Sequence, residues 1–147
     1  MNVETVIEIE APSSRVWEVL SDVERWPEWT ASMTSVRRLD LGPLVPGSEA
    51  VVKQPRLLRA RWRVTELIPG AEFTWQSRLA RGHVVGVHSI EVLSDSVSRV
   101  TLGVKSSGRL ASLLASTTTG IARRHVAMEA AGLKRRCEEL TSPQTTV

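Results

Sequence analysis

The chain has 147 residues, 41 % of them apolar, with a formal charge of +3 and a single cysteine. That length fits one domain able to bury about two thirds of its unfolded surface, and the lone Cys137 excludes an internal disulfide and suits a reducing compartment. No run approaches the roughly 20 apolar residues of a membrane span. The start, MNVETVIEIE, is acidic and alternating, unlike a signal peptide. The small, scattered positive excess does not mark a nucleic-acid binder. These features lead to the expectation of a cytoplasmic protein with no transmembrane segment and no nucleic-acid partner.

Residues 3–9, VETVIEI, alternate, with Val3, Thr5, Ile7 and Ile9 in one phase and Glu4 and Glu8 in the other. That is the pattern of a strand with one wet face. The break APS at 11–13 follows, and Ser13 or Ser14 is placed to cap a helix carrying Val16, Trp17, Val19 and Leu20. Asp22 opens a second short helix ending near Thr30, and Pro27 suits the first turn of such a restart. Strands are predicted near 34–41, 48–54, 59–68, 71–78, 83–93 and 98–106. The sequence Ile68-Pro69-Gly70-Ala71 signals a hairpin, and a second hairpin turns at Asp95. After Gly108 the period changes. Residues 110–140 hold no proline and carry apolar residues at intervals of three and four, which predicts one long helix. Gly120 and Gly132 each weaken it by about 1 kcal/mol relative to alanine. Residues 1–141 form the single domain, and 142–147 form a polar tail.

This order gives an α+β fold: a seven-stranded curved antiparallel sheet with two short helices between strands 1 and 2, wrapped on a long C-terminal helix. One sheet face needs cover, and the last helix alone is long enough to supply it. A curved sheet around one rod leaves a gap.

The element order resembles the helix-grip fold of the START-related superfamily, which includes polyketide cyclase/dehydratase-like, lipid-transport-like and Bet v 1-like proteins. The residues carrying the resemblance are IEIEAPSSRVWEVLSDVERWPEW at 7–29, WRVTELIPGAEFTWQS at 62–77, HSIEVLSDSVSRVTL at 88–102 and the helix after Gly108. The first block is the most specific. The resemblance implies a deep, largely apolar cavity between sheet and helix that takes a small hydrophobic molecule of lipid, polyketide or aromatic type. It does not imply one chemistry.

Within that frame the candidate ligand-binding residues are Trp62, Val64, Phe73, Trp75, Gly86, His88, Ile90, Thr117, Ile121 and His125. Period two sends Trp62 and Val64, then Phe73 and Trp75, to one face and Arg59, Arg61 and Arg63 to the other. His88 shares phase with Gly86 and Ile90, so it points inward, and Gly86 is expected to open space beside it. An inward histidine is either a core residue bonded to backbone, a ligand contact or a proton carrier, and it is the one catalytic candidate. Trp26 and Trp29, three apart, are expected to anchor the short helix against the sheet and to stand at the cavity mouth. Trp17 reads as core. Glu66 shares phase with Trp62 and is placed at the cavity rim. The histidine spacing fits no metal signature, and no cofactor motif is present. Three functions fit: binding of a small hydrophobic or amphipathic ligand; a cyclase/dehydratase-like enzyme in which His88 moves a proton; or a protein-interaction or regulatory module. Binding and catalysis differ in whether two titratable groups meet inside the fold. The oligomeric state, monomer or dimer, is left open.

Overall fold

The alternation at residues 3–9 becomes strand β1 (Asn2–Ile9), and the chain continues through helix α1 (Ser13–Ser21) and a 3-10 helix (Val23–Glu28). Strands β2 (Ser35–Arg38), β3 (Glu49–Lys53), β4 (Ala60–Ile68), β5 (Glu72–Leu79), β6 (Gly82–Val92) and β7 (Ser98–Gly108) follow, and helix α2 (Ala115–Thr141) ends the fold. The structure, a computed structural model, describes residues 1–79, 82–108 and 115–142. The predicted helical residues 110–114 and most of the predicted tail lie outside them, as does the side chain of Thr117.

The strands form one antiparallel sheet in the order β1-β7-β6-β5-β4-β3-β2. Val3, Phe73, Trp75, His88, Ile90, Val100 and Leu102 face the core, while their neighbours in sequence face outward. At the Pro69–Gly70 turn, Ala71 N–H donates to Ile68 O at 3.0 Å and Gly70 takes a φ of +79°, the conformation a type II turn requires at that position.

Several local expectations are corrected. Pro12, not Ser13 or Ser14, is the N-cap of α1, and no side chain bonds there. The second short helix is 3-10, and Pro27 is its fifth residue rather than part of its first turn. Proline survives there because so short an element has few hydrogen bonds to lose. A bulge between Val64 and Glu66 breaks the period of β4, so Glu66 pairs with Thr74 and is exposed while Leu67 turns inward opposite Phe73.

Helix α2 runs in the same sense as β1, with Lys134 beside Glu8 and Glu138 beside Glu10, and is fixed most firmly at its C-terminal half. Lys134 Nζ donates to Glu8 O at 2.9 Å, Glu10 N–H donates to Glu138 Oε2 at 2.9 Å, and Arg136 pairs with Glu28 at 2.8 Å. A methyl group at Gly132 would lie 2.0 Å from Trp29 O. The missing side chain thus lets α2 pass directly over the end of the 3-10 helix, where Arg135 donates to the same carbonyl at 3.0 Å. The turns of α2 from Ile121 onward are rich in strong helix formers, whereas STTTG at 116–120 is weak.

Candidate functional site

Trp26, Phe73, Trp75 and His88 meet beneath α2. Phe73 and His88 face each other across β5 and β6, and their rings stack at 4.2 Å and 15°. Trp26 lies 5.3 Å from His88 and 5.2 Å from Trp75, ring centre to ring centre. It is 0 % exposed and donates from Nε1 to Leu20 O at 3.0 Å. Trp26 is therefore the centre of the aromatic cluster, not part of a mouth. Trp29 is also buried, 5.9 Å from Trp26 and pressed against Gly132. Its Nε1 has no hydrogen-bond partner among the described residues.

The space expected at Gly86 is filled. A methyl group there would come within 2.7 Å of Trp75 Nε1, so the glycine accommodates the indole rather than leaving a void. Trp62 is half-buried and tilts against Trp75 at 5.5 Å. Val64 and Ile90 are buried, and Ile121 is half-buried. His125 is buried, with Nδ1 3.5 Å from Gln54 Nε2, which also donates to Ser32 O at 3.3 Å. Burial, reinforced by the Arg124 charge, lowers the His125 pKa.

His88 has a titratable neighbour that the sequence did not reveal. Its Nε2 lies 3.7 Å from Oε1 of Glu129 on α2, and the two residues are 4 % and 7 % exposed. The Nδ1 of His88 lies 3.2 Å from Phe73 O. A carbonyl only accepts, so Nδ1 carries the proton and Nε2 keeps its lone pair. Burial pushes the His88 pKa down to about 4, against the raising effect of the Phe73 bond. Burial alone pushes Glu129 up to about 8. At neutral pH the imidazole is thus a neutral base and the carboxyl keeps its proton. Their separation is too long for a direct hydrogen bond, so a lone pair and an acidic proton stand side by side without satisfying one another. A sequence signal for Glu129 exists: Ile121, His125 and Glu129 follow each other at intervals of four, on one helical face.

Along the inward face, the half nearest α1 is filled by the aromatic cluster. Toward the other end Trp62, Val84, Val104, Ile121 and Ala122 are only half-buried. A separate half-open cavity of about 550 Å³ lies between α1, the loop 42–47 and the Pro69 turn. Trp17, Arg38, Leu44 and Leu67 are among its walls. Trp17, expected as core, is half-buried there and meets Phe73 edge-on at 6.2 Å. No buried titratable pair among the described residues faces this cavity, so the His88–Glu129 region is the stronger candidate. Cys137 is buried with its thiol pushed up to about 12, chiefly by that burial, which leaves it unsuited to nucleophilic chemistry. Among the described residues no helix is long and apolar enough to cross a membrane.

Solved structures share this architecture at low sequence identity. The Zhui aromatase/cyclase from Streptomyces sp. R1128 superposes with a TM-score of 0.81 at 16 % identity, covering 100 % of this chain and 99 % of its own. TTHA0849 from Thermus thermophilus gives 0.77 at 16 % identity, with 97 % and 100 % covered. A START superfamily protein from Mycobacterium smegmatis gives 0.73 at 16 % identity, with 95 % and 99 % covered. No curated protein matches the sequence. At such identity these likenesses speak for the helix-grip fold alone, but residues 1–138 also match one sequence family. The chain belongs to the family described as polyketide cyclase / dehydrase and lipid transport.

Proposed function

We propose that this protein binds a small hydrophobic or amphipathic molecule of lipid, polyketide or aromatic type on the inward face of the sheet, and that His88 and Glu129 receive its carbonyl or hydroxyl group. The observation that carries this reading is the buried pair itself, 3.7 Å apart and too distant for a mutual hydrogen bond, beside the aromatic cluster. Burying two polar groups without mutual hydrogen bonding costs stability. A ligand hydroxyl that accepts from Glu129 and donates to His88 Nε2 removes that cost, and a carbonyl removes the part that falls on Glu129. Trp62 and Trp75 offer flat apolar walls, Val64, Phe73 and Ile90 complete the lining, and Ile121, His125 and Thr117 belong to the helix above.

A second reading is favoured by the complementary protonation of the pair: a cyclase/dehydratase-like enzyme. His88 Nε2 would take a proton from a carbon next to a carbonyl, Glu129 would give its proton to a departing hydroxyl, and water would leave. A proton passing from His88 to Glu129 would then restore the pair.

The test is native mass spectrometry of protein from its own host, followed by binding of the co-purified molecule to Trp62→Ala, His88→Gln and Glu129→Gln, read by tryptophan fluorescence. Binding is expected to weaken by about tenfold or more in His88→Gln, for one lost buried hydrogen bond, with folding retained. Unchanged affinity in all three variants would overturn the site. If Glu129→Gln binds but no longer converts the molecule, the enzymatic reading holds. If wild-type protein returns it unaltered, the binding reading stands alone.

A further inference from the structure

The acidic residues of this molecule concentrate at one end of the grip. Glu8, Glu10, Asp22, Asp40, Glu72 and Asp95 lie at the end closed by α1, where ion pairs such as Arg38–Asp40 and Arg99–Glu8 form. At the opposite end, where β3 leads into β4, β5 into β6, and α2 begins, the exposed residues Arg56, Arg59, Arg78, Lys105, Arg123 and Arg124 gather. Among the described residues, none of these six has a carboxylate within ion-pair distance, and the acidic side chain nearest that end along β1 is Glu4.

The loop 54–59, QPRLLR, projects from this end in a fixed shape. Leu57 N–H donates to Gln54 O at 3.2 Å across Pro55 and Arg56, and Arg56 holds a φ of +66°. That is the third position of a type II turn, where glycine is the ordinary choice. Lys53 Nζ donates to Gln54 O at 2.8 Å and also bonds Leu57 O. The turn so held leaves Leu58 91 % exposed between two arginines.

We propose that this end of the protein docks on an anionic lipid bilayer, with Leu58 entering the boundary between headgroups and chains and the surrounding arginines and Lys105 neutralising lipid phosphates. The cations are spread around a rim that spans one loop, two strands and a helix. Such a rim matches a flat, diffuse negative surface better than a compact acidic site. An apolar tip flanked by arginines matches an interface that takes leucine below and guanidinium above. Docking would set the half-buried end of the inward face against the membrane. It does not depend on the ligand or on His88, so its test and theirs fail separately.

The experiment is co-sedimentation of the whole chain with vesicles of phosphatidylcholine alone and of phosphatidylcholine and phosphatidylglycerol in equal parts. Wild-type protein is expected to pellet with the anionic vesicles only, and added salt is expected to release it. Arg56→Gly with Arg59→Ala keeps the turn foldable and should lower partitioning about thirty-fold, for two lost surface cations. Leu58→Ser should lower it about tenfold for part of one leucine's burial, and Arg25→Ala at the closed end should change nothing. Melting curves confirm that the variants fold. Equal pelleting with both vesicle types, or none with either, would overturn the proposal. So would Leu58→Ser binding like wild type while soluble polyglutamate displaces the protein, an outcome that marks an acidic protein as the partner.

Discussion

Replacing Glu129 by glutamine removes one titrating group while keeping shape and polarity, and its effect on stability depends on pH in a way the structure sets. The folded pKa of Glu129 is raised from 4.5 to about 8 by burial, so this group favours folding fully below 4.5 and loses that contribution as pH rises through 8. His88 is lowered from 6.5 to about 4, so it favours folding fully above 6.5 and loses that contribution as pH falls through 4. Between 4.5 and 6.5 the unfolded chain holds a proton on His88 while the folded chain holds one on Glu129, and the two slopes cancel. Above 6.5 only Glu129 contributes, and at about 1.4 kcal/mol per pH unit the wild type loses about 2 kcal/mol by pH 8. Glu129→Gln should instead gain up to about 3 kcal/mol from pH 4 to 6.5 and stay level to pH 8. Urea unfolding across this range, followed by tryptophan fluorescence, reads both profiles. Parallel curves for the two proteins above pH 6.5 would mean that Glu129 is already ionised in the folded state, and the donor–acceptor argument for the site would fall with it.

Two glycines of α2 predict opposite outcomes. Gly132→Ala places a methyl group 2.0 Å from Trp29 O. The helix must shift, at about 1–3 kcal/mol of overpacking strain with loss of the Arg135 and Arg136 contacts as well, and wild-type stability in urea would contradict the close approach. Gly120 has nothing within 4 Å of an added methyl, so Gly120→Ala should raise stability by about 0.5–1 kcal/mol through helix propensity, and a fall in melting temperature would contradict that.

What the sequence revealed depended on how strictly its periods held. The inward direction of His88, Phe73 and Trp75 followed from period two, since β5 and β6 run without irregularity through their pairing. The same rule misplaced Glu66, because one bulge in β4 reversed the phase and no residue type announced it. Gly86 was legible as a special position but not in its meaning, since whether a glycine leaves space or receives a neighbour depends on the Trp75 rotamer. Trp26 and Trp29 were legible as anchors, yet the close seat of Trp29 depended on Gly132, more than a hundred residues away in sequence. Glu129 escaped because a carboxylate on an apolar stripe reads as a solvated edge. Only the packing of α2 over β6 shows that it has no water to turn to.

The side-chain bonds of α2 point to a direction of approach. Among the described residues, those that tie the helix to the rest of the fold begin at His125 and grow denser through Lys134, Arg135, Arg136 and Glu138. The aromatic cluster and the Gly132–Trp29 contact occupy the same half. The earlier turns have weak helix propensity and face the half-buried Trp62, Val84 and Val104 end of the sheet. A molecule reaching His88 and Glu129 from the α1 end would have to displace Trp26, which is wholly buried and bonded to Leu20. From the other end it meets side chains that are already partly in solvent, and it displaces fewer fixed bonds. The pair therefore stands at the boundary between the half of the grip tied by side-chain bonds and aromatic packing and the half whose side chains are only half-buried, enclosed well enough for the carboxyl to keep its proton.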